Sequence, residues 1–372
     1  MIIKLHNDIE KELSSIEDPI NELALAINKL FELMLERKHV IVASQMLLTK
    51  INKLSILNPY NKKLIQQLLD HHTNFYGSLP KTNKILYVVP NKSYFKNDTN
   101  VEYITLNACQ NLSQSILSTE NPSDFCFYDN LFKFMNTNVS YTASFYNGSF
   151  GGGTAKQFLD SMVSTENIIL AICDSDKDYN TCKLGDTATI VKRYVDRYNS
   201  GKAYLDYYIL SVREKENLIP IEWYKLFCEK EKKPLIESVY AFSDNTEFMK
   251  FVDLKAGIKV KQIKNPCKQW HGLYDDFIDL CKTNGAFNSS AYRDDDYCIK
   301  GIGGRKADRL SEIFFCEKNE YNEKEKNILS ESNFDTMQHI PEYIMNIYFE
   351  LYNLMFTYGC APRNIHNSFL YR

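Results

Sequence analysis

The chain has 372 residues, a formal net charge of −3, 44% hydrophobic residues and 24% charged residues. This composition is typical of a folded globular protein of two or three domains, and the near-neutral charge excludes a global attraction to nucleic acid, so polyanions would need local basic patches or bound metal. No apolar run approaches the roughly 20 residues that span a bilayer, and acidic residues come too early for a signal peptide. We therefore expect a cytoplasmic protein without a membrane partner.

Residues 1–80 are predicted to form an α-helical region. Apolar residues recur at helical spacing between Ile20 and Met34 and again between Val40 and Leu54. The prolines of Asn58-Pro59 and Leu79-Pro80 mark helix ends. We expect a small helical domain or a region that docks on a partner.

From residue 81 onward, strand patterns alternate with helical patterns. Such alternation is typical of a mostly parallel sheet with helices on both faces, so we expect an α/β domain over residues 81–265. Residues 266–372 are less regular and are predicted to be mixed and partly helical. The predicted strands are 85–89, 101–106, 115–119, 141–145, 168–173 and 204–212, and the predicted helices are 125–135, 155–163, 187–198 and 341–356.

Two aspartates, Asp174 and Asp176, follow directly after the apolar strand 168–173. Ligands of open α/β sheets bind beyond the carboxyl ends of strands, and period-two alternation would point both carboxylates the same way. Paired carboxylates suit a hard divalent cation such as Mg²⁺ or Mn²⁺, which would also relieve their mutual repulsion. A calcium-binding EF-hand loop is excluded, because Tyr179 and Gly185 stand where it needs Gly and Glu.

Acidic residues also follow two other predicted strands. Glu120 comes after strand 115–119, and Glu214 and Glu216 come after strand 204–212. Carboxylates that converge from several strand ends are what two-metal phosphoryl transfer requires. The Asp-x-Asp pair is also compatible with a glycosyltransferase or nucleotidyltransferase, in which Mn²⁺ and a sugar nucleotide need the same carboxylates.

The segment that begins at Glu120 resembles the start of a Toprim domain, particularly of the nucleases of the OLD family and related bacterial phage-defence proteins. That pattern has a strand-end Glu, then Ser/Thr-Asp/Glu, then Phe-Tyr, and an Asp-x-Asp further along the chain. Asp174 and Asp176 stand 54 and 56 residues after Glu120. The residues that match the first part are Glu120, Ser123, Asp124, Phe127 and Tyr128.

The resemblance covers roughly residues 110 to 260 and implies a Toprim-like fold and a Mg²⁺- or Mn²⁺-dependent nuclease that acts as an antiphage effector. Glu120 would hold a second metal ion or act as a general base, and Lys255 would stabilise negative charge on the scissile phosphate. The implied metal ligands are Glu120, Asp174, Asp176, Glu214 and Glu216, and the implied catalytic residues are Glu120, Asp174, Asp176, Glu216 and Lys255.

Proteins of the OLD family fuse an ATPase to the Toprim domain. This chain contains no Walker motif, so an ATPase partner would be a separate chain. A further reading is a non-catalytic partner subunit, with the helical N-terminal region docked on such an ATPase and a degenerate acidic site.

Lysines between residues 251 and 270 have only Asp253 as an acidic neighbour in sequence. Such a patch can follow a nucleic-acid backbone, although lysine runs are also common on ordinary solvated surface. A second basic pair follows the glycine-rich turn 301–304. The predicted contacts to DNA or RNA are Lys255, Lys259, Lys261, Lys264, Arg305 and Lys306.

Overall fold

The computed structural model shows an α/β protein with two four-stranded parallel sheets flanked by helices. Residues of both sheets belong to one large hydrophobic core, and a second, smaller core lies on one face of the second sheet. The structure describes residues 1–13, 21–94, 102–163, 167–198, 204–227, 233–259, 293, 296–315, 320–332, 334–335 and 338–364.

The strands of the described residues pair mostly in parallel. Two antiparallel pairs, β12 with β6 and β10 with β11, stand apart from the two parallel sheets. The strands are β1 (Ile2–Leu5), β2 (Val40–Val42), β3 (Leu86–Val89), β4 (Glu102–Thr105), β5 (Ile116–Ser118), β6 (Tyr141–Ala143), β7 (Tyr146–Asn147), β8 (Ile169–Cys173), β9 (Leu205–Ile209), β10 (Gly257–Lys259), β11 (Tyr297–Lys300) and β12 (Cys360–Pro362).

Side-chain caps fix where several helices begin. The side chain of Asn58 accepts a hydrogen bond at the start of the helix that begins at Pro59, for example. Within the described ranges, no helix has both the length and the apolar character needed to cross a membrane. The helices are α1 (Ile9–Leu13), α2 (Glu22–Leu35), α3 (Gln45–Asn52), α4 (Pro59–Asp70), α5 (His72–Ser78), α6 (Pro122–Met135), α7 (Ala155–Val163), α8 (Asp186–Tyr198), α9 (Ile221–Phe227), α10 (Lys233–Tyr240), α11 (Thr246–Phe251), α12 (Gly304–Ile313), α13 (Glu323–Ser332) and α14 (Glu342–Gly359).

The first sheet has the strand order β2-β1-β3-β4, with every pair parallel. The prediction of a purely helical region over residues 1–80 is therefore wrong, because β1 and β2 lie within it. Both strands are short apolar runs, which periodicity alone cannot distinguish from helix. They become strands because β1 is hydrogen-bonded between β2 and β3, so the sheet takes strands from both sides of residue 80.

The second sheet has the strand order β7-β5-β8-β9, again entirely parallel. Its strand β8 is buried along its whole length, as its uniformly apolar sequence predicts. Leu170 and Ile172 pack into the large core together with residues of α6 and α14. Ile169, Ala171 and Cys173 pack into the smaller core together with residues of α7 and α8. Helices thus cover both faces of this sheet.

The strands predicted after residue 81 divide between two sheets instead of forming one. β3 and β4 join the first sheet, and β6 pairs antiparallel with β12 near the C-terminal end of the described residues. Lys84 connects the two parallel sheets, because its ammonium group lies 3.2 Å from Glu102 of β4 and 2.9 Å from Asp206 of β9. The second sheet alone carries the predicted acidic strand ends.

Candidate functional site

The predicted acidic residues follow strands at the point where the order of the second sheet reverses. From β5 the chain passes to β7 on one side and then to β8 on the other. In parallel α/β sheets this reversal opens a crevice beyond the carboxyl ends of the two central strands. Glu120 follows β5 and Asp174 follows β8, so both begin at the rim of this crevice.

Hydrogen bonds join the loop after β8 to the loop after β9. The amide groups of Ser175 and Asp176 donate to the carbonyl oxygen of Arg213, over 2.9 and 3.0 Å. The hydroxyl group of Ser175 donates to the carbonyl oxygen of Val212 over 2.6 Å. The amide of Lys215 then donates to Oδ1 of Asp174 over 3.1 Å. The loops therefore bring Asp174 beside the short 3-10 helix Lys215–Leu218.

Asp176 does not continue the alternation of the strand. β8 ends at Cys173, and Asp176 has a φ of 53°, in the left-handed region that Asp tolerates better than most residues. Its carboxylate lies against Gly185, where a Cβ atom would be 2.2 Å from Oδ2 of Asp176. The expectation that period-two geometry aligns Asp174 and Asp176 is therefore wrong, because both residues lie beyond the strand and one adopts a turn conformation.

Glu214 and Glu216 are buried acids of the site, with 8% and 0% of their surface exposed. Oε1 of Glu214 and both carboxylate oxygens of Glu216 are buried without a hydrogen bond of good geometry. Burial raises the pKa of Glu214 to about 8, and the nearby charge of Glu216 acts in the same direction. Burial also raises the pKa of Glu216, to about 7, although Lys255 and Lys215 oppose the shift. A buried carboxylate without hydrogen bonds is stable only if a nearby cation or a bound proton neutralises its charge.

Lys255 supplies one such cation. Its ammonium nitrogen lies 3.0 Å from Oε1 of Glu216, 3.7 Å from Oε2 of Glu214 and 3.6 Å from Oδ1 of Asp308. Burial acts to lower the pKa of Lys255, but Glu216 and Glu214 outweigh it and hold that pKa above its usual value. Lys255 therefore lies among the acidic residues of the site, as the sequence predicts.

The site contains three further residues, of which the sequence marks only Asp124, as part of the family pattern. Lys215 is buried, and its ammonium nitrogen lies 2.5 Å from Oδ1 of Asp124 and 3.3 Å from Oδ1 of Asp308. Asp124 also closes the capping box of α6, because its carboxylate accepts a hydrogen bond from the amide of Asn121. Lys215 stands between the two predicted glutamates and was detectable from that position, whereas no local signal marks Asp308.

Glu120 interacts with the start of α8 and with the aspartate loop. Its carboxylate is hydrogen-bonded to Thr187, and Asp176 is the negative charge that acts on it most strongly. Burial raises the pKa of Glu120, the hydrogen bond from Thr187 opposes the shift, and Asp176 adds to it. Glu120 therefore belongs with the other acids, with a pKa moved toward neutrality.

Asp174 experiences the combined field of these groups. Burial raises its pKa well above the usual aspartate range, and Glu216, Asp124 and Glu214 raise it further. Burial raises the pKa of Asp176 as well, while Arg213 and Lys255 oppose that shift. Arg213 is itself engaged by Asp178 over 2.6 Å and by Asp253 over 3.2 Å. The site as a whole has two lysines, Lys215 and Lys255, among seven carboxylates. These are Glu120, Asp124, Asp174, Asp176, Glu214, Glu216 and Asp308.

The donor chemistry of this cluster suits a divalent cation. Hard oxygen donors, an excess of negative charge and buried carboxylate oxygens without hydrogen bonds all favour Mg²⁺ or Mn²⁺. Within the part of the chain that the structure describes, however, no three His, Cys, Asp or Glu side chains are grouped closely enough to hold a metal ion. The ammonium groups of Lys215 and Lys255 lie among the carboxylates instead.

The predicted nucleic-acid contacts are only partly within the described residues. Lys259 lies on β10 with its ammonium nitrogen 5.1 Å from the ring centroid of Tyr297. Arg305 and Lys306 lie in the first turn of α12, the helix that carries Asp308. Lys261 and Lys264 lie outside the described residues.

In comparisons with known proteins, no family model matches the chain, and neither a curated protein nor a solved structure matches it significantly.

Proposed function

We propose that this chain is a divalent-metal-dependent nuclease that hydrolyses phosphodiester bonds of DNA or RNA in a Toprim-like site. One observation supports the proposal: acidic residues follow three strands of one parallel sheet, and their carboxylates act on one another electrostatically beyond the carboxyl ends of those strands. Two of them, Glu214 and Glu216, keep buried oxygens without a hydrogen bond of good geometry, although Oε1 of Glu216 lies 3.0 Å from the ammonium nitrogen of Lys255. A role in phage defence, with a separate ATPase as partner, rests only on the resemblance of residues 110 to 260 to the Toprim nucleases of the OLD family.

The residues that would hold Mg²⁺ or Mn²⁺ are Asp174, Glu214 and Glu216 on one side and Asp176 with Glu120 on the other. When bound, the metal would supply charge stabilisation and an acidified water molecule. If Glu120 does not hold a metal ion, its carboxylate, hydrogen-bonded to Thr187, would instead accept a proton from the attacking water as general base.

The cationic residues of the chain would act on the phosphate. Lys255 is 26% exposed, so its ammonium group can face both the buried acids and a phosphodiester at the rim. Arg305 and Lys306 begin the helix that carries Asp308, and there they would hold the nucleic-acid backbone by charge.

Cleavage by the purified full-length chain tests this proposal directly. Wild-type protein is expected to cleave DNA or RNA in Mn²⁺ or Mg²⁺ and to stop when EDTA is added. Asp174→Asn and Asp176→Asn should each reduce cleavage by about 100-fold or more, as loss of a metal ligand would. Asp160→Asn, at an exposed position of α7, is the matched control and should cleave like wild type. Cleavage that survives both active-site substitutions would refute the assignment.

The positions of the two lysines favour a second candidate, a non-catalytic partner subunit whose acids are neutralised by ammonium groups. Lys215 and Lys255 already contact Asp124, Glu216 and Asp308. This candidate predicts no Mn²⁺ binding by calorimetry, together with stable co-purification with a partner. Stabilisation by a sugar nucleotide in a thermal-shift assay would instead indicate a transferase that uses the same aspartates.

A further inference from the structure

One cross-strand row of the first sheet combines a lysine with two tyrosines. In the register of the parallel strands, Lys4 of β1 lies beside Tyr87 of β3, and Tyr87 lies beside Tyr103 of β4. Side chains at matching positions of neighbouring strands project from the same face of a sheet. The ring centroids of Tyr87 and Tyr103 are 6.0 Å apart, and the ammonium nitrogen of Lys4 lies 5.7 Å from the ring centroid of Tyr87. The row therefore presents two aromatic rings and a cation side by side.

This row lies on the less buried face of the sheet. The residues that alternate with the tyrosines along β3 and β4 are Leu86, Val88 and Ile104, and all three belong to the large hydrophobic core. Neither tyrosine of the row belongs to either core, and all three side chains of the row are partly exposed. A cross-strand aromatic pair also stabilises a sheet, but that role requires neither the exposure nor the lysine. The exposed part of each ring can therefore contact a ligand.

A second aromatic contact lies at the carboxyl edge of the same sheet. From β1 the chain passes to β2 on one side and then to β3 on the other, so the order of this sheet also reverses, between β1 and β3. Such a reversal opens a crevice that is the usual ligand site of a parallel sheet. His6 follows β1 and Tyr94 comes after β3, and their ring centroids are 5.2 Å apart. Asp8 is an acid at this edge, and Lys11 pairs with it over 3.0 Å.

Charge and ring chemistry together indicate the class of ligand. No carboxylate of the described residues forms an ion pair with Lys4, so the row carries a positive charge. The bases of single-stranded nucleic acid stack on tyrosine rings, and a cation beside the rings attracts the phosphates that link the bases. Bases in a duplex are stacked on one another, so the rings favour unpaired strands.

We propose that a stacking surface on the first sheet, formed by Lys4, Tyr87 and Tyr103 and continued by His6 and Tyr94, binds single-stranded nucleic acid. The acidic residues belong to the second sheet, so the stacking surface is a separate site and needs no metal ion. This inference goes beyond the proposed cleavage, because it assigns a preference for unpaired strands to a part of the chain that carries none of the acids.

Binding of labelled oligonucleotides to the full-length protein, measured by fluorescence anisotropy in EDTA, tests the proposal. The probes are oligothymidine and oligouridine of about 12 nucleotides, a length within the site sizes of single-strand-binding domains. Tyr87→Leu and Tyr103→Leu should each weaken binding by about tenfold, because leucine keeps the apolar bulk and loses the aromatic face. Tyr87→Phe keeps that face and should stay within about twofold of wild type. Lys4→Gln should reduce the slope of log affinity against log salt by about one.

The controls separate stacking from a merely structural role. Tyr146→Leu removes a tyrosine that is 61% exposed on β7 of the second sheet, and it should bind like wild type. If the leucine variants do not fold, the salt dependence of Lys4→Gln and the affinity of Tyr87→Phe still test the surface. Folded leucine variants that bind as tightly as wild type, or a duplex of oligothymidine with oligoadenosine bound as tightly as the single strand, would overturn the inference.

The outcome is also distinguishable from that of the proposed nuclease. Tyrosine-dependent binding by a protein that cleaves no nucleic acid would support the stacking surface and remove the nuclease. Cleavage of a duplex by a protein that binds neither single-stranded probe would overturn the stacking surface and leave the nuclease standing.

Discussion

The ammonium nitrogen of Lys215 lies 2.5 Å from Oδ1 of Asp124, and only 1% of the lysine side chain and 11% of the aspartate side chain are exposed. Removal of one partner from a buried ion pair leaves an uncompensated charge and costs about 3–5 kcal/mol. We expect Lys215→Met to lower the free energy of unfolding by about 3 kcal/mol in chemical denaturation.

The second partner of this pair supplies the internal check. Asp124→Asn in the Lys215→Met background should recover part of the lost stability, because the stranded carboxylate is then neutral. Lys156→Met, at an exposed position of α7, should stay within about 0.5 kcal/mol of wild type. A Lys215→Met protein as stable as this control would show that the pair contributes nothing.

The pH dependence of stability should carry the signature of Glu214 and Glu216. Their folded-state pKa values, about 8 and about 7, lie above the value of about 4.3 for an unfolded chain. Between these values the folded state binds more protons than the unfolded state, so this contribution to stability is fully present below about pH 4.3, declines as pH rises and is lost by about pH 8. The Tm of metal-free protein should fall by several degrees between about pH 5 and 8 in calorimetric scans.

Two changes should reduce the dependence of Tm on pH. Glu216→Gln removes one titrating group and the repulsion it exerts on Glu214, so Tm should vary less between about pH 5 and 8. Saturating Mn²⁺ should have a similar effect on wild type, because the metal competes with protons for the same oxygens. An unchanged slope in Glu216→Gln would assign the titration to other groups.

Gly185 is expected to be irreplaceable for the position of Asp176. An added Cβ atom at residue 185 would lie 2.2 Å from Oδ2 of Asp176, so Gly185→Ala must displace the carboxylate. The added atom would also lie 2.7 Å from Cβ of Asp176, so the backbone of the loop must shift as well. We expect Mn²⁺ affinity to fall by about tenfold and Tm to fall with it. Gly77→Ala, where a Cβ atom meets nothing within 4 Å, is the matched control. Equal Mn²⁺ affinities of the two variants would exclude a metal-binding role for Asp176.

Arg305 and Lys306 should govern the salt dependence of nucleic-acid binding. Each charge that neutralises a phosphate releases counterions, so Arg305→Ala and Lys306→Ala should each reduce the slope of log affinity against log salt by about one. The loss of affinity should be similar for different sequences, because backbone contacts carry no sequence information. Fluorescence anisotropy at several salt concentrations measures both quantities. Lys62→Ala, at an exposed position of α4, should leave the slope unchanged.

Regular elements of the second sheet were predictable because their patterns are local. The predicted helix 155–163 coincides with α7, and the predicted strand 168–173 differs from β8 by one residue. The prediction of an α/β protein is confirmed. The strands β1 and β2 were missed because only their pairing across the first sheet, which depends on β3, turns short apolar runs into strands.

The acids of the site were predictable where the parallel topology fixes them. Residues that follow parallel strands must meet at one edge, which is why Glu120 and Asp174 were assigned to the same place. The φ of 53° at Asp176 depends on hydrogen bonds to the neighbouring loop, and the contact of Asp308 depends on a turn that folds against Lys255. Neither relationship leaves a periodic signal in the sequence.

Two contacts limit how far the chain can be shortened. β12 pairs with β6, and α12 places Asp308 beside Lys255. A piece trimmed to residues 81–265 would lack the carboxylate of Asp308, the partner strand of β6, and β1, the inner neighbour of β3. Its sheet edges would be open and prone to pair with other molecules. The portion that holds the acids is therefore best produced with the segments that flank it on both sides.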